Sequence, residues 1–436
     1  MPKKPSSAEK ALVQTPIHIL NNDCLIHIFE MLTIKDRLNL ELVCKRWLSV
    51  SILLWKSVHV LDVTDDEMEF QTIKGNRTKI NIHLCEKVLR RSAKYLTVVN
   101  LTGTKKNENK NLMSEWHRCA FPHYEVYKNV HSLIKSLLLN CKNLEELYVC
   151  NCIIRVDDVY LSELLEKNQK IRKLKLIGLE LKRQDVLSNL SLKCLEYVVL
   201  DCKMEVSNFY GKIHESKKLH TLGLKCNHID MKQFKSNLPN TLRQLSLYQD
   251  CHDIDLKHSI ENNQLMNLRV LILDDCHIME NNGLNVIRNH CKELLAVRLR
   301  NCHWVSDSEV SCISSLPKLI CLDISDNDLS DEALVNLSKN IRVLAAGGND
   351  FTEDMLSSIL ERSHDLEKLD ISYCDVSRHF IKLAIKMIKI RNSNVPLEIG
   401  MYQTRVRAQT LTPDLLKITV DQELVINFDQ YLNGLF

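Results

Sequence analysis

Seventeen cysteines and seventeen histidines are the residues of this 436-residue chain best equipped for chemistry, as metal ligands, nucleophiles or proton carriers. Their spacing argues against those roles. Zinc sites draw ligands from tight clusters of the C-x2-C kind, whereas Cys276, Cys302 and Cys374 are far apart and share one place in a repeating pattern. Cys150 and Cys152 form a C-x-C pair in an expected strand, where a structural role is anticipated. There is no G-x-S-x-G elbow, no phosphate-binding P-loop and no H-E-x-x-H pair, and the histidines form no plausible triad. No catalytic residue, no metal and no cofactor is therefore expected. The chemistry left is recognition. Tyr and Arg most often anchor protein interfaces, which singles out Tyr148, Tyr197, Tyr248, Arg298 and Arg300.

The elements that hold these residues follow from a repeat. The pattern L-x-x-L-x-L recurs ten times between Leu144-Leu147-Val149 and Leu366-Leu369-Ile371, with units such as Leu268-Leu271-Leu273 and Leu319-Leu322-Ile324 between them. The mean spacing of about 25 residues lies inside the window of leucine-rich repeats. Each L-x-L reads as a short strand whose leucines point inward while the intervening residues face a concave surface, because successive side chains take opposite faces. Five residues after each middle leucine stands a column of Cys152, Leu179, Lys203, Asn227, Asp250, Cys276, Cys302, Asn327, Asn349 and Cys374. Asn there can bond backbone groups left over at the turn, and Cys can fill the slot as a small hydrophobe. Ser306 with Glu309, Ser330 and Thr352 read as helix N-caps on the convex side. The expected fold is α/β, a solenoid of parallel strands and helices behind a small N-terminal helical module.

Concave positions flank the inward leucines. Tyr148, Tyr197, Tyr248, Asp274, Arg298, Arg300, Asp323 and Lys368 are the candidate substrate-binding residues. Arg298 and Arg300 lie between Asp274 and Asp323 on neighbouring strands, so they can form cross-strand ion pairs or receive an acidic or phosphorylated segment of a partner. Trp304, just beyond Cys302, is expected to pack at the core or the lip.

Residues 16–60 break the repeat and show helical spacing. Cys24, Leu25, Ile28, Phe29 and Leu32 form one apolar stripe, and Leu38, Leu42, Val43 and Trp47 a second, with Asp36 near its start. A module of about 45 residues is too small for a self-sufficient core, so it should bury remaining apolar surface on a partner. The order Leu20, Asp23, Leu25, Ile28-Phe29, Leu32, Asp36, Val43-Cys44-Lys45-Arg46-Trp47 and Leu54-Trp55 resembles an F-box. Asn21 stands where the family usually has Pro, and Arg37 where it has Leu, with Leu38 next. With the repeats, whose cysteine column is similar to the cysteine-containing subclass found in F-box proteins, the chain resembles the substrate-recognition subunits of SCF ubiquitin ligases. That resemblance implies docking on a Skp-type adaptor through Leu20, Asp23, Leu25, Ile28, Phe29, Leu32, Asp36, Leu38, Val43, Cys44, Trp47 and Trp55. Through the adaptor it implies a cullin and RING subunit, with an unidentified protein substrate held on the repeats. The alternative is a repeat scaffold outside any ligase, which the Asn21 departure would favour by weakening adaptor binding.

The expected organisation is an N-terminal extension over 1–15, the F-box over 16–60, degenerate first repeats over 61–102, a polar insertion over 103–130, regular repeats over 131–400 and a tail over 401–436. Trp116, Phe121, Tyr124 and Tyr127 in the insertion either meet a partner or pin the loop. The apolar tail is expected to cap the last repeat or to fold back toward the concave face. Composition excludes other classes. With 26% charged and 45% hydrophobic residues the chain is globular, and a formal charge of +3 with mixed signs on the concave face argues against nucleic acid. Ten Gly and eight Pro are too few for an all-β fold. The first fifteen residues lack an apolar signal core and no run approaches 18 apolar residues, so reduced thiols, no membrane and a cytosolic or nuclear location are expected.

Overall fold

A computed structural model of the chain describes residues 17–63, 71–74, 77–102, 137, 139–154, 158–179, 181, 183, 185–202, 209, 211–225, 238–248, 265–276, 283–391, 395–406, 414–420 and 424. The expected N-terminal extension, the polar insertion with its four aromatics, the Lys203, Asn227 and Asp250 column positions and most of the tail lie outside the described residues.

The N-terminal module comprises α1 (Asn22–Glu30), α2 (Ile34–Leu40) and α3 (Lys45–Leu54). Each starts on a side-chain cap: Asn21 accepts the Cys24 N–H, Thr33 the Asp36 N–H and the Cys44 sulfur the Trp47 N–H. These caps satisfy donors that a helix start leaves orphaned. Leu25, Phe29, Leu40, Val50 and Leu54 form a small buried core, onto which Trp47 adds an edge-on contact with Phe29 at 4.9 Å between centroids.

After the module come β1 (Val60–Asp62), a hairpin of β2 (Gln71–Lys74) and β3 (Arg77–Ile80), α4 (Ile82–Ser92) and β4 (Val98–Asn100). The periodic strands follow: β5 (Glu146–Ile154), β6 (Lys173–Leu179), β7 (Tyr197–Cys202), β8 (Thr221–Lys225), β9 (Gln244–Tyr248), β10 (Val270–Asp274), β11 (Ala296–Arg298), β12 (Cys321–Asp323), β13 (Val343–Ala345) and β14 (Lys368–Asp370). The sheet continues past the sequence repeat through β15 (Leu397–Gly400) and β16 (Leu416–Thr419). Among the described residues, apart from the hairpin, all strands pair in parallel and in chain order, giving an open sheet of 14 strands. The middle leucines are in register, so that Leu147, Leu174, Val198, Leu222, Leu245, Leu271, Val297, Leu322, Leu344, Leu369 and Ile399 form one buried ladder. This is a leucine-rich-repeat solenoid.

Helices Gly283–His290, Asp307–Ser314, Glu353–Arg362 and Arg378–Ile390 turn Leu284, Ile287, Val310, Ile313, Leu356, Ile359, Phe380 and Ala384 into the same core as the leucine ladder. The turn column works as its residue types predict. Asn327 donates to the Leu299 and Ile324 carbonyls, both at 2.8 Å, and accepts the Cys302 N–H at 2.7 Å. Asn349 repeats the arrangement one unit on. At the equivalent position the Cys302 thiol donates to the Leu273 carbonyl at 2.8 Å, and burial pushes it up to about 12, so it remains a neutral thiol. The residue just before the column takes positive φ in successive repeats, at Asp275, Asn301, Asp326, Gly348 and Tyr373. Thr352 caps its helix by accepting the Met355 N–H, whereas Ser330 precedes only a 3-10 turn, Asp331–Leu334, and makes no capping bond; both hydroxyls link repeats, that of Ser330 donating to Asp307 at 2.7 Å and that of Thr352 to Asp331 at 2.6 Å. Among the described residues no helix is long and apolar enough to cross a membrane.

Candidate functional site

Two surfaces place the candidate residues. The first is the outer face of the helical module. Met31 at the end of α1 is 87% exposed and Leu42 in the turn between α2 and α3 is 85% exposed. Val43, Ile28, Leu48, Ile52 and Leu53 are exposed with them. Seven large apolar side chains left exposed on so small a module make it a candidate interaction surface.

Of the residues expected here from sequence, Ile28, Val43, Cys44, Asp23 and Asp36 are exposed. Leu20, Leu32 and Trp47 are partly buried against the module core, and Leu38 against the core of the repeats. Three need correction. Leu25 and Phe29 are fully enclosed in the module's own core, and Trp55 is buried in the core of the repeats; they shape the face and are not on it. Met31, Leu42, Leu48, Ile52 and Leu53 were missed. Met31, Leu48, Ile52 and Leu53 are apolar residues left over once the expected stripes are assigned, whereas Leu42 was expected on the second stripe with Leu38 and Trp47; that stretch breaks into α2 and α3 and leaves it exposed in the turn.

The two departures from the F-box pattern are locally compensated. Asn21 has φ −67° and ψ 171°, and its Oδ1 accepts the Cys24 N–H at 2.8 Å. That φ is the one a proline ring would impose, and the side chain adds a cap. Arg37 donates from Nε to the Leu32 carbonyl at 3.1 Å and from Nη2 to the Glu30 carbonyl at 2.7 Å, holding the end of α1.

Residues 22–60 match the family model described as F-box-like. The N-terminal module is an F-box-like domain. Among solved structures, the chain is similar to one in the crystal structure of a Rad7 and Elc1 complex in yeast, at 16% identity over 66% of this chain and 77% of that one, with a TM-score of 0.48. It is also similar to an internalin, InlF, from Listeria monocytogenes, at 14% identity over 67% of this chain and 90% of that one, with a TM-score of 0.38.

The second surface is the concave side of the sheet behind the F-box-like domain. Here the structure overturns part of the expectation. Tyr248, Asp274, Arg298 and Asp323 are buried and offer no free side chain. Arg298 Nε lies 3.0 Å from Asp274 Oδ2 and 3.4 Å from Asp323 Oδ2. Burial works against the guanidinium's charge, but the two carboxylates outweigh it and raise its pKa further. Beside this charged row, Val270, Ala296, Cys321 and Val343 line up across four adjacent strands and pack with Ile272, Leu295 and Ile320 as a second apolar cluster. The ion pairs to Arg298 and the packing of Tyr248 in the apolar cluster keep these side chains from the surface.

The other candidates stay nearer the surface. The Tyr148 hydroxyl donates to Glu146 at 2.7 Å, and burial followed by that carboxylate raises its pKa. Tyr197 is partly buried. Arg300 reaches Asp326 at 2.8 Å, and Lys368 reaches Glu398 at 3.4 Å. Trp304 packs partly buried against the core. Near the C-terminal end, Leu424 lies against Gly400, where a side-chain carbon would come within 2.5 Å of its Cβ.

Proposed function

We propose that the chain is a non-catalytic, intracellular substrate-recognition subunit of an SCF-type ubiquitin ligase. The observation that carries this reading is the exposure of five large apolar side chains, Met31, Leu42, Val43, Ile52 and Leu53, on an F-box-like domain whose own core is already filled. A Skp-type adaptor is the partner whose chemistry fits that face, and the cullin and RING subunit follow through it. The repeats hold a protein substrate, and their part is positional: binding raises the effective concentration of substrate lysines near the ubiquitin-loaded enzyme. Tyr148, Tyr197, Arg300 and Lys368 are the proposed contacts, because the other four candidates are enclosed.

Against the scaffold alternative, which rests on the Asn21 departure, stands the cap that Asn21 places on α1. The test is affinity purification of the tagged full-length chain from cells, with proteasome and neddylation blocked, followed by mass spectrometry. Adaptor and cullin at near-stoichiometric levels are expected, and proteins lost on mutating Tyr148 and Arg300 become substrate candidates. Recovery of other partners with neither adaptor nor cullin would replace this reading with the scaffold.

A further inference from the structure

Glu41 lies on the seam between the F-box-like domain and the repeats. It caps the C-terminal end of α2, directly before the exposed Leu42 and Val43. Its carboxylate is turned inward and its side chain is only 10% exposed. Arg91 of α4 reaches it with a fork: Nε lies 2.7 Å from Oε1 and Nη2 2.6 Å from Oε2. The Trp55 indole N–H donates to Oε1 at 2.8 Å, and the Arg91 guanidinium lies over the Trp55 ring, 5.9 Å from its centroid. Arg91 is tied back to its own helix through Nη1 and the Lys87 carbonyl at 2.8 Å.

The packing around this cluster is divided. Leu25, Phe29, Leu40, Val50 and Leu54 form a core private to the domain, whereas Ile34 and Trp55 belong to the core of the repeats. Apolar contact is non-directional and by itself tolerates rotation of one body on the other. A forked guanidinium–carboxylate pair fixes direction as well as distance. The same carboxylate also holds the ring on which the repeats close, so three side chains from α2, the end of α3 and α4 are locked together.

We propose that Glu41 is a positioning residue: the Glu41–Arg91–Trp55 clamp sets the angle between the adaptor-facing surface and the repeats, and thereby selects which lysines come within reach of the ubiquitin donor. The consequence for ubiquitin transfer rests on the ligase reading; the clamp itself does not. Since Leu42 and Val43 follow Glu41 directly, any swivel at the clamp is delivered to the adaptor-facing surface with no intervening linker.

The test uses the full chain with Arg91→Met and Arg91→Lys in two measurements. Small-angle X-ray scattering of the isolated chain reads the spread of distances between the two bodies. Reconstitution with a Skp-type adaptor, cullin, RING subunit and ubiquitin-conjugating enzyme, followed by mass spectrometry, maps which lysines of the chain itself are modified. Both variants are expected to bind the adaptor within twofold of wild type. Arg91→Met should broaden the distance distribution and spread modification to lysines the wild type leaves untouched, with Arg91→Lys in between because an ammonium cannot fork. An unchanged distribution and map for Arg91→Met would overturn the clamp. If the wild type binds no adaptor, the ligase reading falls while the scattering still decides the clamp. Should Arg91→Met lower the thermal transition of the repeats, Glu41→Gln, which keeps the shape and removes the charge, is judged by the same two readouts.

Discussion

Arg298 Nε sits 3.0 Å from Asp274 Oδ2, with the carboxylate wholly buried and the guanidinium nearly so. Asp323 on the next strand completes the row. Removing one member of a buried ionic group leaves an uncompensated charge, at about 3–5 kcal/mol. Arg298→Met should therefore destabilise the repeats by that order in chemical denaturation. Replacing Asp274, Arg298 and Asp323 together with apolar residues of similar volume should recover most of the loss. A stable Arg298→Met single variant would return this arginine to the list of substrate contacts.

The turn column predicts a graded series. Asn327 satisfies two buried carbonyls and one buried N–H, each worth about 1–3 kcal/mol if left unpaired. Asn327→Leu should be severely destabilising, on the order of 3 kcal/mol or more. Asn327→Cys should be milder, because a thiol at the same position already bonds a strand carbonyl at Cys302. Equal losses in urea melts would show that the slot is filled for volume alone.

Asp370 gives a pH signature. Burial raises its carboxyl to about 6, against the opposing hydrogen bonds from the Ser372 N–H and hydroxyl. The unfolded value is about 3.9, so between the two values the folded chain binds more protons than the unfolded one. Ionising this group therefore removes stability as pH rises through that window. Asp370→Asn should stabilise by about 1–2 kcal/mol at neutral pH after allowing for partial exposure, and the gain should shrink toward zero as pH falls to about 4. A gain of equal size at pH 7.5 and pH 4.5 would contradict this origin.

At the start of the F-box-like domain, Asn21→Ala should cost about 1 kcal/mol through loss of the cap on α1, while Asn21→Asp should be close to neutral. Hydrogen exchange of the α1 amides reads this directly. Unchanged protection in the alanine variant would show that the Arg46 contacts with the Leu20 carbonyl and Asn22 hold the helix start unaided.

Much of this architecture is legible in the sequence because its causes are local and repeated. The spacing of Leu271 and Leu273 dictates a strand and its inner face, and Asn327 and Cys302 stand where turn carbonyls need donors. Leu42 and Val43 were legible as apolar and were placed on the right module. What local pattern could not supply was depth. Tyr248 and Arg298 face the concave side as alternation requires, yet they are enclosed because Asp274 and Asp323 close on one and an apolar row packs beside the other. The Glu41–Arg91 pair spans 50 positions with no periodic signal, so only the folded chain brings it together. The same holds for Leu424 against Gly400.

Binding of a Skp-type adaptor by the F-box-like domain is read by titration calorimetry of the purified full-length chain against purified adaptor. The wild type should bind with a Kd of about 1 μM or tighter, corresponding to about 8 kcal/mol. Leu42→Asp with Val43→Asp should weaken binding at least a hundredfold while leaving the thermal transition unchanged, since both side chains are exposed. No binding by the wild type, or equal binding by the double variant, would show that Leu42 and Val43 do not form an adaptor site.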